Sequence, residues 1–153
     1  MTNPLRIESV GHPSFVTTKT VKNIAYFNNS RNAETIISAL YFCRKQGWMY
    51  LLSFVVMPDH LHTIFMPRNR NSFQIMHSIK SYTAKTINKI MGRTGNLWQK
   101  SFWEYKIPNK EILLQKVYYI HNNPIQKGLC DTPNEYPFSS ANLRYETDLE
   151  IFF

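Results

Sequence analysis

The feature that most constrains the fold is a largely apolar run over residues 48–65, interrupted by Pro58 and Asp59. Most residues of this run are aliphatic, aromatic or β-branched, which favours extended strands. Proline and aspartate are turn residues, and two-residue turns commonly connect antiparallel strands. The run therefore predicts a tight hairpin of two buried strands, over residues 48–57 and 60–65.

The second strand of this hairpin begins with His60 and His62. Residues two apart on a strand point to the same face, so the two imidazoles are expected side by side. Neutral imidazole is the commonest protein ligand of divalent metals, and the pair therefore suits a metal site. Histidines at this spacing are more often simply hydrogen-bonded or half-exposed, so the pair alone leaves both interpretations open.

Strand and helix patterns continue on both sides of the hairpin. They predict, in chain order, a strand over residues 12–18, a helix over residues 33–46 capped by Ser30 or Asn32, a helix over residues 72–91, a strand over residues 101–107 and a helix over residues 110–122. Gly92 and Pro124 are the expected ends of the two later helices. The tail, from about residue 133 to 153, is expected to be mostly irregular.

This order of elements predicts the fold class. Strand, helix, strand, strand, helix, strand, helix indicates an α+β fold with a ferredoxin-like split β-α-β arrangement, in which helices pack on a mainly antiparallel sheet. A length of 153 residues is typical of one domain, so a single domain over residues 1–153 is expected.

Helical periodicity assigns faces to the two later helices. On the helix over residues 72–91, the face expected to pack in the core carries Phe73, Met76, Ile79, Thr83, Ile87 and Ile90. On the last helix, the expected buried arc consists of Leu113, Leu114, Val117, Tyr118 and Ile120. Tyr119 points away from this arc, and Asn123 shares its face if the helix continues as far as Pro124. His121 is expected on the buried side.

Charge and composition limit the classes of partner. The formal net charge is +8 and the pI is about 9.6, which favours a polyanion such as nucleic acid. Cys43 and Cys130 are too isolated for a disulfide framework, as is typical of a cytoplasmic protein. Residues 1–8 lack the apolar core of a signal peptide, and the longest apolar stretch, residues 48–57, is too short to span a bilayer. No membrane association is expected.

Several segments match, in order, the pattern of a known enzyme family. They are residues 55–62 (VVMPDHLH), 80–83 (KSYT), 97–103 (LWQKSFW), 119–129 (YIHNNPIQKGL) and 136–140 (YPFSS). Together these segments resemble the single-tyrosine HUH transposases, and most closely the REP-associated tyrosine transposase branch. The resemblance extends from the second strand to about Ser140, while the first strand matches weakly.

The resemblance implies an enzyme that cleaves and rejoins single-stranded DNA, or hairpin DNA with an unpaired flank. It implies that His60, His62 and Asn123 bind Mg²⁺ or Mn²⁺, and that Tyr119 forms a 5′-phosphotyrosine. An unperturbed tyrosine titrates near pH ~10, so the metal or a nearby base such as Lys116 or Lys127 is expected to assist. Either a monomer or a homodimer fits the resemblance.

Other residues are candidates for DNA contacts. Lys85, Lys89 and Arg93 share one arc of a helix and could follow phosphates, although an ordinary solvated face explains them equally well. Trp98, Phe102 and Trp103 could stack on bases, although at least two of the three are expected in the core. The candidate contacts are Lys85, Lys89, Arg93, Trp98 and Lys127.

Three alternative functions compete with this interpretation. A domesticated, non-cleaving DNA-binding protein of the same fold is compatible with the sequence, although the intact histidine pair and Tyr119 favour catalysis. A zinc site that uses His60, His62, His121 and Cys130 is disfavoured because the chain has no closely paired cysteines. An RNA phosphoesterase would need two His-x-Ser/Thr motifs, and only residues 12–14 fit that pattern.

Overall fold

The computed structural model describes Ile7 and residues 11–153. The predicted order of elements is confirmed: β1 (Ser14–Lys19), α1 (Ser30–Lys45), β2 (Met49–Met57), β3 (His60–Pro67), α2 (Ser72–Met91), β4 (Trp103–Lys106) and α3 (Lys110–Gln126). Apart from Ile7, the N-terminal segment on which the signal-peptide prediction rests lies outside the described residues. None of the helices in the described part is long and apolar enough to cross a membrane.

The four strands form one antiparallel sheet in the order β2-β3-β1-β4. The strand pairs β1/β2 and β3/β4 are each separated by another strand, which is the split β-α-β arrangement that the sequence predicts. β2 and β3 are joined by the two-residue turn Pro58-Asp59, as expected. The fold class is therefore confirmed.

Both faces of the sheet are covered by helices. Alternation along the strands directs Val16, Phe54 and Leu61 towards α1 and α2. The opposite face, which carries Phe15 and Ile64, packs on α3. His62 belongs to this second face, because it lies two residues before Ile64 and its ring contacts Phe15 at a centroid distance of 5.7 Å. This second face of the sheet, which packs on α3, is called the α3 face.

Local chemistry explains where the first two long helices begin and where the second one ends. Asn29 caps α1, because its side chain accepts a hydrogen bond from the Arg31 N–H, so the predicted cap at Ser30 or Asn32 is shifted. Asn71 and Gln74 form a reciprocal capping box at the start of α2. Gly92 ends α2 in the left-handed conformation (φ 64°), as the sequence predicts.

The predicted end of α3 is wrong. The helix continues through Pro124 to Gln126, although proline removes one backbone donor. Both Asn123 and Pro124 are buried, and the chain beyond them is held by bonds from Lys127 N to Asn123 O (3.2 Å) and from Leu129 N to Pro124 O (2.9 Å). Tertiary packing therefore overrides the local preference of the residue before proline.

Three predicted packing residues are exposed. Leu114 and Tyr118 are 50% and 71% exposed, because α3 buries only a narrow stripe through Leu113, Val117 and Ile120. Phe73, in the first turn of α2, is 67% exposed and stacks beside the His77 ring, while the buried stripe of that helix begins at Ile75. Helical periodicity alone therefore predicted buried arcs that are wider than the observed ones.

The tail from residue 133 onwards is irregular apart from two 3₁₀ turns, Pro133–Glu135 and Leu149–Phe152. It nevertheless pairs with the open edge of β2. Val56 N donates to Phe138 O (2.8 Å), and Ser140 N donates to Phe54 O (2.9 Å). These bonds cover an edge that would otherwise expose unpaired backbone groups.

Candidate active site

The hairpin turn holds the histidine pair at one end of the sheet. The carbonyl of Pro58 accepts from Phe27 N (2.9 Å), and the carbonyl of Asp59 accepts from Thr20 N (3.0 Å). The turn is thus fixed on both sides before β3 begins at His60. The imidazole rings of His60 and His62 lie 4.7 Å apart between centroids, which confirms that they project side by side.

Each histidine uses its Nδ1 atom for a hydrogen bond. His60 Nδ1 donates to Asp59 Oδ1 at 2.7 Å, and His62 Nδ1 lies 2.8 Å from Thr17 Oγ1. A carboxylate only accepts, so Nδ1 of His60 carries a proton, and Nε2 is the atom that could bind a metal. Such partners orient metal-binding histidines, because they set the tautomer and the ring plane.

The environment of His62 keeps it neutral. The residue is 6% exposed, and burial, followed by the charges of His60 and Lys19, lowers the pKa of His62 to about 3 from an ordinary value of 6.5. The imidazole therefore retains a free lone pair at neutral pH, as a metal ligand must.

Helix α3 presents Tyr119 and Asn123 to the histidine pair. The ring of Tyr119 meets that of His62 edge to face, with centroids 5.5 Å apart, and the tyrosine is 49% exposed. Asn123 is only 7% exposed, and its Oδ1 atom is buried without a hydrogen-bond partner among the described residues. A buried carbonyl oxygen without a partner is costly, and a cation would satisfy it.

These side chains line one cavity of about 690 Å³. His60, His62, Tyr119, Asn123 and Lys127 all contribute to its wall. The structure thus brings together the nucleophile candidate, the three ligand candidates and one of the candidate DNA contacts. They come from the beginning of β3, from the C-terminal half of α3 and from the residue that follows α3. A buried oxygen and two imidazole nitrogens beside an accessible phenol suit a hard divalent cation and a phosphate.

His121 belongs to a separate network. Its Nε2 atom lies 2.8 Å from Ser140 Oγ and 3.3 Å from Ser53 Oγ, so it connects α3 to β2 and to the tail. Burial lowers the pKa of His121 to about 4. Neither His121 nor Cys130 lines the cavity, and in the described part of the chain no three His, Cys, Asp or Glu side chains are arranged so that they alone could hold a metal ion. The geometry thus offers no support for the zinc alternative.

The candidate DNA contacts lie in three different places. Lys127 lines the cavity, whereas Lys85 and Lys89 are exposed on α2, on the other side of the sheet. Arg93 bonds Asn88 Oδ1 (2.6 Å) and Asn96 O (3.3 Å), and its guanidinium covers the Tyr26 ring at 4.6 Å. These local contacts explain its position without DNA.

Trp98 is not available for base stacking. It is 5% exposed, its ring packs on Phe27 at 5.2 Å, and its indole N–H donates to Thr83 Oγ1 at 2.9 Å. The prediction that it contacts DNA is therefore wrong, because its ring completes the core between β1 and α2. Of the two other aromatics considered, Phe102 packs partly on that core and Trp103 is 53% exposed.

Sequence reasoning missed the contribution of β1. Thr17 and Lys19 line the cavity, and the Phe15 ring contacts both His62 and Tyr119. Alternation along β1 puts Phe15, Thr17 and Lys19 on one face, although the predicted strand ended one residue before Lys19. The predicted fold places β1 next to β3, but it did not reveal the register, in which Thr17 is opposite His62 and Lys19 is opposite His60.

Comparisons with known proteins find matches in sequence and in fold. A family model described as "Transposase IS200 like" matches residues 15–123. A curated Haemophilus influenzae protein assigned as a REP-associated tyrosine transposase is 26% identical over 96 residues, which cover 56% of this chain and 54% of that protein. The chain therefore spans about half the length of the curated relative that it matches.

Two solved structures share the fold. One is a REP-associated tyrosine transposase bound to a REP hairpin, with 22% identity and a TM-score of 0.70, covering 100% of this chain and 88% of the other. The second is assigned as a transposase from Deinococcus radiodurans, with 16% identity and a TM-score of 0.54, covering 80% of this chain and 94% of the other. At these identities the likeness concerns the fold.

Proposed function

Because the chain belongs to the IS200-like transposase family, we propose that it cleaves and rejoins single-stranded or hairpin DNA through a covalent bond to Tyr119. The observation that carries the proposal is the shared cavity, in which a half-exposed phenol meets two imidazoles and a buried amide oxygen. This is the arrangement that a tyrosine nucleophile and a bound phosphate require.

His60, His62 and Asn123 would hold Mg²⁺ or Mn²⁺. Two imidazole nitrogens oriented by Asp59 and Thr17, with one amide oxygen that lacks a partner, fit such an ion. When bound, a divalent cation withdraws charge from a phosphate and favours in-line attack on its phosphorus.

The covalent step assigned to Tyr119 is an exchange of phosphodiesters. Its phenolic oxygen attacks the phosphorus, the bond from phosphorus to the 3′ oxygen breaks, and that oxygen leaves as a 3′-hydroxyl after taking a proton. The product is a 5′-phosphotyrosine, so the bond energy is retained for attack by another 3′-hydroxyl. Lys19 and Lys127 in the cavity wall would attract the phosphate and stabilise the phenolate.

The DNA and the assembly follow from the same proposal. A net charge of +8 favours a polyanion, and the open mouth of the cavity beside Tyr119 suits a flexible single strand. The exposed Lys85 and Lys89 are proposed as peripheral phosphate contacts. A cytoplasmic location and a monomeric or homodimeric state stay predictions.

The decisive experiment is a search for a covalent adduct. The full chain is incubated with hairpin-bearing single-stranded DNA and Mg²⁺ or Mn²⁺, and denaturing electrophoresis is used to detect a protein–DNA species. Wild type should form the adduct and Tyr119→Phe should not. Tyr118→Phe is the matched control, because Tyr118 is the adjacent phenol, is 71% exposed and does not line the cavity.

Two results would contradict the proposal. An adduct that persists in Tyr119→Phe would show that the nucleophile is another residue. DNA binding by wild type without any adduct, on several hairpin substrates and with both metals, would favour a non-cleaving DNA-binding protein of the same fold.

A further inference from the structure

An exposed tryptophan lies on the same face of the sheet as the candidate active site. Trp103 on β4 is directly opposite Thr17 on β1, and Thr17 is directly opposite His62 on β3. Directly paired residues of antiparallel strands point to the same side, so all three side chains lie on the α3 face. Neighbouring strands are about 4.8 Å apart, so the backbones of Trp103 and His62, two strands apart, are separated by roughly 10 Å.

A single buried ring connects this tryptophan to the site. Phe15 is 3% exposed, and its ring centroid is 5.6 Å from that of Trp103, 5.7 Å from His62 and 6.0 Å from Tyr119. Close-packed rings hold their neighbours in fixed relative positions. The position of Trp103 relative to Tyr119 is therefore set by the core and not by a loop.

The outer surface of Trp103 remains open. The residue is 53% exposed, in contrast to Trp98 at 5%. The Tyr105 ring lies parallel to it, with an interplanar angle of 6° and centroids 6.2 Å apart, so the two rings present similarly oriented faces along β4. Packing of the core does not require an exposed tryptophan ring at this position. Flat aromatic faces are the surfaces on which unpaired bases stack.

A positive charge lies between this surface and the nucleophile. Lys116 precedes Tyr119 by three residues on α3, so the two side chains neighbour each other on the helix. Its Nζ atom is 5.5 Å from the Phe15 ring centroid and 5.3 Å from that of Tyr105. No carboxylate of the described residues lies within 4.0 Å of Lys116. Within the described residues, no carboxylate therefore competes with a phosphate for this ammonium group.

We propose that Trp103, supported by Tyr105 and flanked by Lys116, is a stacking site for an unpaired nucleobase of the DNA strand that reaches Tyr119. Its ligand class is thus a single-stranded nucleotide, with the base on the indole and the neighbouring phosphate near Lys116. The inference rests on the proposed function for the identity of the strand. It adds a residue that would set which nucleotide next to the cleavage site is held in place.

The test uses the full chain and a hairpin oligonucleotide with a dT flank on each side, because a hairpin fixes the register of the flank. Binding is measured by fluorescence anisotropy without divalent metal. Trp103→Ala should weaken binding roughly tenfold, whereas Trp103→Phe, which keeps an aromatic face, should recover most of the affinity. Phe73→Ala is the matched control, because Phe73 is 67% exposed but lies on α2, on the other side of the sheet.

A second measurement separates stacking from a structural role. Abasic substitutions are introduced one at a time along the flank. At one position, the abasic substitution should weaken binding by wild type but should not further weaken binding by Trp103→Ala. The loss of affinity from the abasic site and the loss from the Trp103 substitution therefore do not add. Both proteins should have similar Tm values, and the salt dependence of binding should be unchanged, because stacking neutralises no phosphate.

The inference is overturned if Trp103→Ala binds as wild type does, or if no abasic position depends on Trp103. It is also overturned if the substitution alters only the oligomeric state, which would make the indole a contact between two copies of the chain. Failure of the proposed cleavage looks different: wild type would bind in a Trp103-dependent manner but form no adduct at Tyr119.

Discussion

Thr17 Oγ1 lies 2.8 Å from Nδ1 of His62, so a residue of β1 orients an imidazole of β3 in the candidate metal site. The two residues are directly opposite each other in the sheet. This contact joins the first strand, whose resemblance to the family is weak, to the histidine motif that is one of the matching segments.

Substitution of Thr17 tests this contact. Thr17→Val keeps the shape of the side chain but removes the hydroxyl, and affinity for Mn²⁺ should fall about 10- to 100-fold because the ring is no longer held. Isothermal titration measures the change. Thr18→Val is the matched control, since the Thr18 hydroxyl is buried without a hydrogen-bond partner among the described residues. Equal Mn²⁺ affinity in both variants would contradict the prediction.

Asp59 should tune His60 in the same way. Its carboxylate accepts from His60 Nδ1 at 2.7 Å. Asp59→Ala removes the acceptor and should weaken Mn²⁺ binding about 10- to 100-fold, whereas Asp59→Asn keeps an acceptor oxygen and should weaken it less. The same titration ranks the three proteins. A ranking in which Asp59→Asn binds as poorly as Asp59→Ala would show that charge, and not orientation, is the contribution of Asp59.

Asn123 should contribute more to metal binding than to the stability of the metal-free protein. Its buried Oδ1 atom makes no hydrogen bond with the described residues, so Asn123→Ala should leave the Tm of the metal-free protein nearly unchanged. The increase in Tm caused by added Mn²⁺ in wild type should be lost. Thermal denaturation with and without Mn²⁺ measures both effects.

A second buried asparagine supplies the control for this experiment. Asn32 Nδ2 donates to Tyr26 O at 2.8 Å, so Asn32→Ala should lower the Tm in the metal-free protein and leave the Mn²⁺ effect intact. If Asn123→Ala retained the full response to Mn²⁺, the third ligand would have to be another group.

The stability of the metal-free protein should fall in mild acid. The pKa of His121 is lowered to about 4 by burial, and that of His62 to about 3, from an ordinary value of 6.5. Below pH 6.5 the unfolded chain binds protons that the folded chain does not, so the free energy of unfolding decreases as the pH falls towards 4. Each such histidine changes the free energy of unfolding by at most about 1.4 kcal/mol per pH unit. Well above pH 6.5 it adds no pH dependence, because it is neutral in both the folded and the unfolded chain.

Tm measured as a function of pH tests this. His121→Gln retains a polar group towards Ser140 but cannot titrate, so its Tm should depend less steeply on pH between 6.5 and 4. His77→Gln, at an exposed position of α2, is the control and should retain the slope of wild type. The prediction fails if both variants have the same slope.

Trp98 should contribute to stability and not to DNA binding. Trp98→Ala removes a buried ring and should lower the free energy of unfolding by about 3–5 kcal/mol. Trp98→Phe keeps most of the ring but loses the hydrogen bond to Thr83, and should cost about 1 kcal/mol. Denaturant unfolding gives these values, and anisotropy should show that Trp98→Phe binds single-stranded DNA as wild type does. A large loss of affinity in Trp98→Phe would restore Trp98 as a DNA contact.

The sequence by itself determined the elements and their order. The Pro58-Asp59 break within an apolar run predicts the hairpin, the His60-Leu61-His62 spacing predicts two imidazoles side by side on one face, and Gly92 predicts the end of α2. Each of these depends on local preferences of a few neighbouring residues. The fold class and the family followed from the same local patterns.

Tertiary structure decided which of these residues meet. The continuation of α3 through Pro124 places Asn123 beside Tyr119, and the pairing of β1 with β3 supplies Thr17 and Lys19 to the site. Likewise, one of two neighbouring tryptophans is buried in the core and the other lies open beside the site, although their local sequences gave no distinction. Strand register and burial depend on packing between segments far apart in the chain, and local periodicity carries no information about those contacts.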